Sequence, residues 1–383
     1  MTSGVALQPA TTADVAAAVI EAAARGTPLR IAGRGLWLDA GRPTRDAAPL
    51  SLAALTGIVA YTPGDLTLTA RAGTTLGQIA EATAPHGQWL TLDPFGSADG
   101  TLGATIATAS AGPLAHAFGT PRDVTLGIEA VTGDGAVIRA GGRVVKNVAG
   151  FDLTRLFTGA WGTLGVLTEV TVRLRARPAV DETWCVAVAP GGVDALCAAL
   201  RAAPLAPLAL ELLDARAAHV IGLGTSDALL VRLGGNDDAV AAQRTALRVL
   251  GQAAPAPPDV WSTLRTAEPP GAAVVRLSTL PGRLAALWRT AGDITALGHG
   301  AWRHASVGRG IVRLVVPAHE RAALDALVRA AAAQPATTVA ERLPAAAWTA
   351  LASPMPNAEL ARRVKRAFDP GALLNPGMLG IEP

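Results

Sequence analysis

Residues 93–113 read DPFGSADGTLGATIATASAGP, and this stretch decides how the first half of the chain folds. Glycine, alanine, serine and threonine dominate it, and Pro94 and Pro113 stand near its ends, which predicts loops at both ends. Because glycine has no Cβ, another group can approach the main chain closely there and meet its N–H donors. The segment 96–103 therefore predicts a turn that can hold an anion.

Further glycine-rich turns flank this segment, and each follows or precedes a predicted strand. Upstream, the strand Leu29–Ala32 runs into the turn 33–35, and downstream lie the turns 141–142 and 159–165. Converging N–H groups of several such turns can bind a pyrophosphate. The spacing alone leaves open the alternative that these are ordinary tight turns.

The composition predicts a folded protein of two domains, or one large α/β unit that carries an insertion. The chain has 383 residues, of which 50% are hydrophobic and 16% charged, which excludes general disorder and exceeds one compact core. Basic residues exceed acidic ones by only three, which predicts no nucleic-acid partner. Two cysteines exclude a disulfide framework and favour a reducing compartment. Neither an export signal nor an apolar run of transmembrane length is apparent.

Periodicity predicts an α+β fold for the first domain, residues 1–178. A capped helix spans Thr12 to Arg25 and precedes the first strand. Val124 to Thr132 and Ala136 to Ala140 alternate as a hairpin, and a long strand runs from Val166 to Leu174.

Beyond Pro178, strands alternate with long alanine-rich helices in two similar halves, which predicts a second α+β domain over 179–345. Each half is expected to form an antiparallel sheet with helices on one face, and 251–270 is predicted as the linker between them. The last segment, 346–383, has the loop-like texture of the first domain and is expected to return to it.

Four common catalytic motifs are missing from the sequence. The sequence has two lysines, Lys146 and Lys365, and neither belongs to a phosphate-loop motif. The turn 33–35 lacks the third glycine of a dinucleotide-binding Rossmann fingerprint. No histidine spacing typical of zinc hydrolases and no G-x-S-x-G elbow occurs. These absences leave the series of glycine turns as the main functional signal.

Three sequence blocks together resemble a known family: PLRIAGRG at 28–35, TLGATIATASAGP at 101–113 and KNVAGFDLTRLFTGAWGTLGVLTEVTVRL at 146–174. In this order they are similar to the FAD-binding domain of the vanillyl-alcohol oxidase and p-cresol methylhydroxylase superfamily. The resemblance covers 1–178 and the NPG turn at 375–377. More narrowly, IVAYTPGDLTLTARAGTTLGQI at 58–79 and GGRVVKNVAGFDLTRL at 141–156 resemble the FAD-binding subunit of bacterial glycolate oxidase, also called glycolate dehydrogenase, the smaller of its two flavin subunits.

The resemblance implies a two-part FAD-binding domain of the p-cresol methylhydroxylase type with a smaller antiparallel-sheet α+β cap domain. It also implies a first phosphate loop, a second phosphate loop that continues along the path to the flavin ring, an adenosine contact and a contact at the edge of the ring. In that order, the implied FAD-binding residues are Gly33, Arg34, Gly35, Leu36 and Trp37; Thr101, Leu102, Gly103, Ala104, Thr105, Ala107, Thr108 and Gly112; Gly162 and Val166; and Asn375.

Departures from the family pattern refine this expectation. The first loop, GRGLWL, has no histidine or cysteine to bond the flavin, so FAD is expected to be bound noncovalently, and His86 and His116 are interpreted as structural. His304 begins a stretch that resembles the family's metal-binding motif but lacks two of its ligands, so no metal site is predicted.

The sequence leaves the catalytic base open. His299, Arg303, His304 and Arg309 could supply a base and a cation for a carboxylate, but a polar β-turn is the favoured interpretation of this stretch. Lys146 would either stabilise an anion near the flavin or pair with Asp152.

The resemblance implies a cytoplasmic subunit of a glycolate oxidase-type complex that oxidises a small 2-hydroxy acid. A larger flavin subunit and an iron–sulfur subunit would receive its electrons, and these partners could bring it to the inner face of the membrane. Two alternatives remain open: a self-sufficient flavin-dependent hydroxy-acid oxidoreductase, and a structural subunit with a vestigial flavin site.

Overall fold

The computed structural model describes residues 6–44, 46–142, 151–333, 337–351 and 358–380, so Lys146 lies outside the described residues. In it the chain forms two packed units, each with its own hydrophobic core. Helices and mostly antiparallel sheets occur in both units, which confirms the predicted α+β fold class.

The first helix shows how local sequence sets the boundaries of an element. Helix α1 covers Thr12–Arg25, the bounds that the sequence predicts. Thr11 and Asp14 form a capping box at its start, and Gly26 ends it in the left-handed conformation at φ +60°. Its apolar face, which includes Val15 and Val19, packs in the core of the first unit.

The first unit contains nine strands and five further helices in the described part of the chain. The strands are β1 Leu29–Ala32, β2 Ala48–Ser51, β3 Ile58–Thr62, β4 Thr67–Arg71, β5 Gln88–Trp89, β6 Thr125–Val131, β7 Val137–Gly141, β8 Val166–Arg173 and β9 Arg175–Ala176. The helices are α2 Leu76–Thr83, α3 Leu102–Thr108, α4 Ala115–Phe118, α5 Pro121–Val124 and α6 Leu153–Phe157. β1 and β2 pair in parallel, while β3, β4, β8, β6 and β7 form an antiparallel sheet in that order, with the predicted hairpin as β6 and β7.

The second unit is built on one eight-stranded antiparallel sheet. Its strands are β10 Val180–Ala187, β11 Ala209–Leu213, β12 Ala228–Gly235, β13 Ala253–Pro255, β14 Ala273–Ser278, β15 Trp302–Ser306, β16 Ile311–Val316 and β17 Thr338–Arg342. Its helices are α7 Val193–Ala202, α8 Ala215–Val220, α9 Asp237–Leu247, α10 Val260–Thr266, α11 Leu284–Thr295 and α12 Arg321–Ala333. The strand order is β13-β10-β12-β11-β15-β16-β14-β17, so the two halves repeat one topology in reversed order.

Two expectations about this unit were wrong. The halves do not form separate sheets, because β11 pairs with β15 and joins them into one. The predicted linker 251–270 instead contains β13, which pairs with the edge of β10, and α10, whose Trp261 and Leu264 fill an apolar cluster under the sheet.

The alternation of side chains gives the large sheet two different faces. Helices α7, α9, α11 and α12 pack on one face, where Leu212 and Leu314 are fully buried. The neighbouring residues Glu211, His304 and Arg313 lie on the other face, beside Phe95 and other residues of the first unit. The charged face of the sheet therefore forms part of the contact between the two units.

The segment near the end of the described chain packs on the first unit. Helix α13 covers Ala358–Phe368, and the segment behind it adds to strand β1: Leu29 N donates to Leu373 O at 2.8 Å, and Asn375 N donates to Leu29 O at 2.9 Å. The buried Lys365 ammonium donates to Thr163 O at 2.6 Å and pairs with the Asp369 carboxylate. The hydrogen bond to Thr163 therefore ties the tail to the first unit, and Asp369 neutralises the buried ammonium that makes it.

We predict that Asp369→Ala lowers the free energy of unfolding of the first unit by about 3 kcal/mol or more, because it leaves the buried Lys365 ammonium without its counter-ion. Urea unfolding, followed by tryptophan fluorescence, measures the effect. As a control, Glu359→Ala removes an exposed carboxylate from the same helix, and we expect less than about 1 kcal/mol. Equal losses in the two variants would contradict a special role for the buried pair.

Candidate functional site

A cleft of about 1060 Å³, including the solvent at its mouth, lies in the first unit. Its walls come from the turn after β1, the segment 94–110 with helix α3, the turn before β8, and Asn375 of the tail. Thirteen of the sixteen predicted FAD-binding residues line this cleft. They are Gly33, Arg34, Gly35, Leu36, Trp37, Thr101, Gly103, Ala104, Thr105, Ala107, Thr108, Gly162 and Asn375.

The other three predicted residues lie behind the walls. Leu102 and Val166 are fully buried in the core of the first unit. Gly112 packs on the main chain, since a Cβ there would lie 1.8 Å from Asp93 O.

The four segments of the cleft touch one another. A Cβ on Gly33 would lie 2.3 Å from Thr101 Oγ1, so the first turn and the start of α3 meet without space for a side chain. The Asn375 side chain joins the remaining parts: its Oδ1 accepts from Ile31 N at 2.8 Å and its Nδ2 donates to Trp161 O at 2.7 Å. The convergence that the order of glycine turns suggests is therefore present in the fold.

The first turn offers free backbone donors to the cleft. In the described part of the chain, the N–H groups of Arg34, Gly35 and Leu36 donate to no acceptor, and Gly35 adopts φ +79°. Successive amides in such a turn form a concave site for an anion. The exposed Arg34 guanidinium adds positive charge, with Asp99 4.0 Å away. This turn fits a diphosphate.

The start of α3 plays a different part from the one expected. Its amides are already used inside the protein: Leu102 N donates to Thr74 O at 2.9 Å, and Gly103 N donates to Ala72 O at 2.8 Å. A Cβ on Gly103 would lie 2.6 Å from Ala72 Cβ, so this glycine permits close contact between helix and strand. The segment 101–108 therefore provides a wall of small side chains rather than a second set of free donors.

A buried polar pair lies where the two units meet, next to the cleft-lining residue Phe95. His304 Nδ1 and Glu211 Oε2 are 2.7 Å apart, and the two residues are 2% and 1% exposed. The His304 ring lies 5.2 Å from the ring of Phe95, which lines the cleft. The expectation of a polar β-turn at His304 was wrong, because the residue lies inside β15 with its side chain toward the first unit.

Further titratable groups surround this pair. Helix α4 brings His116 against the turn 307–309, and burial lowers the pKa of His116. Burial raises the pKa of Asp93 to about 7, with Arg265 opposing the shift. Burial also lowers the pKa of Arg309, whose guanidinium makes no hydrogen bond or close ion pair with any other described residue.

Sequence reasoning missed Glu211, and one signal could have found it. The run ALELL at 209–213 carries a lone carboxylate inside an otherwise apolar strand, which indicates a buried partner. His304 Nε2 has no hydrogen-bond partner among the described residues. The pair could therefore hold a proton acceptor at a fixed position, with Glu211 orienting the ring.

The described residues form neither a metal-binding cluster nor a helix that could span a membrane. No three His, Cys, Asp or Glu side chains come together in a group suited to a metal ion. In the same part of the chain, none of the helices combines the length and apolar character that crossing a bilayer requires.

Comparison with known proteins identifies the first unit. Residues 4–141 match the family model of the FAD binding domain. The chain is 42% identical over 154 residues to glycolate oxidase subunit GlcE of Escherichia coli K12, which covers 40% of this chain and 43% of that protein. It is 33% identical over 220 residues to D-lactate dehydrogenase of Archaeoglobus fulgidus, which covers 56% and 48%. The matched regions span less than half the length of either relative.

Solved structures show the same fold. Substrate-bound p-cresol methylhydroxylase matches with a TM-score of 0.77 over 98% of this chain and 88% of that chain, at 17% identity. 4-Ethylphenol oxidase from Gulosibacter chungangensis matches with 0.72 over 98% and 89%, at 19% identity. These likenesses confirm the predicted p-cresol methylhydroxylase-type fold, and the family match confirms FAD as the cofactor.

We predict that Gly33→Ala weakens FAD binding about tenfold or more, because the new Cβ must push the first turn away from Thr101. FAD released into the supernatant by acid precipitation, compared with protein concentration, measures the effect. The matched control is Gly64→Ala, since a Cβ at that position meets no atom within 4 Å. Full FAD content in Gly33→Ala would show that the two segments need not touch.

Proposed function

We propose that this chain, a flavoprotein whose first unit is an FAD-binding domain of the p-cresol methylhydroxylase type, is a subunit of a glycolate oxidase-type complex. It would take part in the oxidation of a small 2-hydroxy acid and pass electrons to partner subunits. The 42% identity to glycolate oxidase subunit GlcE supports the complex, and the likeness to a D-lactate dehydrogenase supports the substrate class.

The observation that carries the proposal is the convergence of four distant segments on one cleft. The free amides of Arg34, Gly35 and Leu36 would meet the diphosphate, and the small side chains of 101–108 would leave a flat wall for the ring. No cysteine or histidine lines the cleft among the described residues, so FAD would be held noncovalently. When bound, FAD supplies two-electron oxidation.

The cysteine content supports dependence on partners. Cys185 and Cys197 are both unpaired, and two thiolates cannot ligate a four-cysteine iron–sulfur cluster. Electrons leaving FAD would therefore pass to a larger flavin subunit or an iron–sulfur subunit. Free thiols also agree with work in the cytoplasm.

We predict that the tagged chain, gently purified from its native host, carries FAD and brings a second flavoprotein and an iron–sulfur protein with it. The activity that reduces a dye with glycolate should copurify with the complex. Its rate should be at least about tenfold lower with the chain alone. Absorption spectra, subunit analysis and steady-state rates measure this. The chain eluting alone with full activity would overturn the complex, while acid precipitation that leaves yellow pellets would overturn noncovalent binding.

We propose as a second candidate that the chain catalyses the oxidation by itself. The His304–Glu211 pair would supply the catalytic base, which the sequence left open. Glu211 would hold the ring through Nδ1, and the unpaired Nε2 would accept the substrate's hydroxyl proton. Arg309, which has no close ion-pair partner in the described chain, could attract the carboxylate. Phe95 stands between this pair and the cleft, which favours the dependent subunit as the main proposal.

If the isolated chain turns over, we predict that His304→Gln lowers kcat about 100-fold or more, because glutamine cannot act as a base near neutral pH. FAD content should remain unchanged, since His304 does not line the cleft. Steady-state rates of the FAD-loaded variant test this, with His299→Gln as the control at an exposed position. Equal kcat in both variants would remove His304 from catalysis.

A further inference from the structure

Two aromatic side chains of the cleft wall have guanidinium groups of the large sheet on their rings. Arg313 Cζ lies 4.2 Å from the ring centre of Phe95, and Arg342 Cζ lies 5.6 Å from that of Trp37. Both aromatic residues line the FAD cleft, whereas both arginines belong to the second unit. The second unit therefore packs against the back of the cleft wall.

Glu268 connects these two arginines. Its Oε1 accepts from Arg313 Nε at 2.6 Å, and its Oε2 accepts from Arg342 Nη2. The Glu268 and Arg313 side chains are each 3% exposed. Both oxygens of the buried carboxylate therefore accept from a guanidinium group rather than from solvent.

The rest of the network ties the same region to the first unit. Arg342 also lies 3.5 Å from Asp39, two residues after Trp37. The main chain adds a second link, because Gly41 N donates to Glu341 O at 2.8 Å. The Glu341 carboxylate in turn pairs with Arg313 and Arg276. Three arginines thus meet three carboxylates at the contact between the units.

Stability alone does not explain this arrangement. Burying ionic groups carries a desolvation cost that often cancels their attraction, and apolar residues of similar size are often equally stable. What the network provides is fixed geometry, because a guanidinium held by two different carboxylates has one orientation over the aromatic ring. Phe95 and Trp37, on whose rings these guanidinium groups lie, both line the cleft.

We propose that Glu268 is a positioning residue for the FAD cleft. It holds Arg313 and Arg342 against Phe95 and Trp37 and so couples FAD binding to the docking of the second unit. Because coupling is reciprocal, bound FAD strengthens the contact between the units, and a formed contact strengthens FAD binding. This inference depends on the FAD-binding domain and not on the substrate or the complex.

Glu268→Gln tests the proposal, because the amide keeps the shape but cannot balance two guanidinium groups. We expect the Kd for FAD, measured by titrating the FAD-free protein, to rise about tenfold. We also expect FAD to raise Tm less than in the unaltered protein and to protect the chain less against proteolysis between the units. A purely structural role would lower the Tm of the FAD-free protein but leave the Kd for FAD unchanged below the transition.

The control is Glu182→Gln, which breaks a more exposed carboxylate–arginine–tryptophan arrangement whose residues do not line the cleft. Glu182 accepts from Arg244 at 2.9 Å, and Arg244 Cζ lies 5.8 Å from the ring centre of Trp184. Its Kd for FAD should match that of the unaltered protein. If Glu268→Gln does not fold, the Kd for FAD of Arg342→Lys tests the proposal instead. Lysine keeps the positive charge but lacks the planar group that stacks on Trp37. An unchanged Kd in the folded variant, or an equal rise in the control, would overturn the proposal.

Discussion

The Asn375 side chain makes the interaction on which the cleft depends. It is 3% exposed and joins strand β1 to the turn before β8 by accepting from Ile31 N and donating to Trp161 O. Aspartate could not donate to the carbonyl, and a shorter side chain would reach neither group. The φ of +43° at this position also suits asparagine, which tolerates the left-handed region better than most residues. Asn375 thus completes a cleft whose first wall, the turn after β1, lies more than 300 positions earlier in the sequence.

Local signals made most of the fold predictable from the sequence. The capping box at Thr11 and the left-handed Gly26 give α1 its bounds, and the turn 133–135 gives the β6–β7 hairpin. For the cleft, the order of the sequence motifs was the useful signal. The family resemblance that it carries named Gly33 and Asn375 without any knowledge of their contacts. Where a residue acts through its own backbone conformation, as Gly26 does at the end of α1, its neighbours in sequence suffice to indicate its role.

Pairings between distant side chains could not be predicted in this way. Glu211 and His304 stand 93 positions apart, and only the β11–β15 pairing, which joins both halves of the sheet, brings them together. The missed strand Ala253–Pro255 has a related cause: a short edge strand tolerates proline, so proline and alanine there resemble a linker. The alternation of strands and helices in each half was predicted, but the sheet that the halves form depends on the β11–β15 contact, which neither half contains.

The exposed positive charge at the first turn and the buried positive charge behind the cleft wall therefore have different roles. The anionic diphosphate would meet main-chain amides and the exposed Arg34, which need little desolvation before binding. The buried Arg313 is instead neutralised by Glu268 and Glu341 and faces the back of Phe95. If it faced the diphosphate directly, its carboxylates would repel the ligand. Placing the aromatic wall between them lets the second unit shape the cleft without bringing these acids into contact with the cofactor.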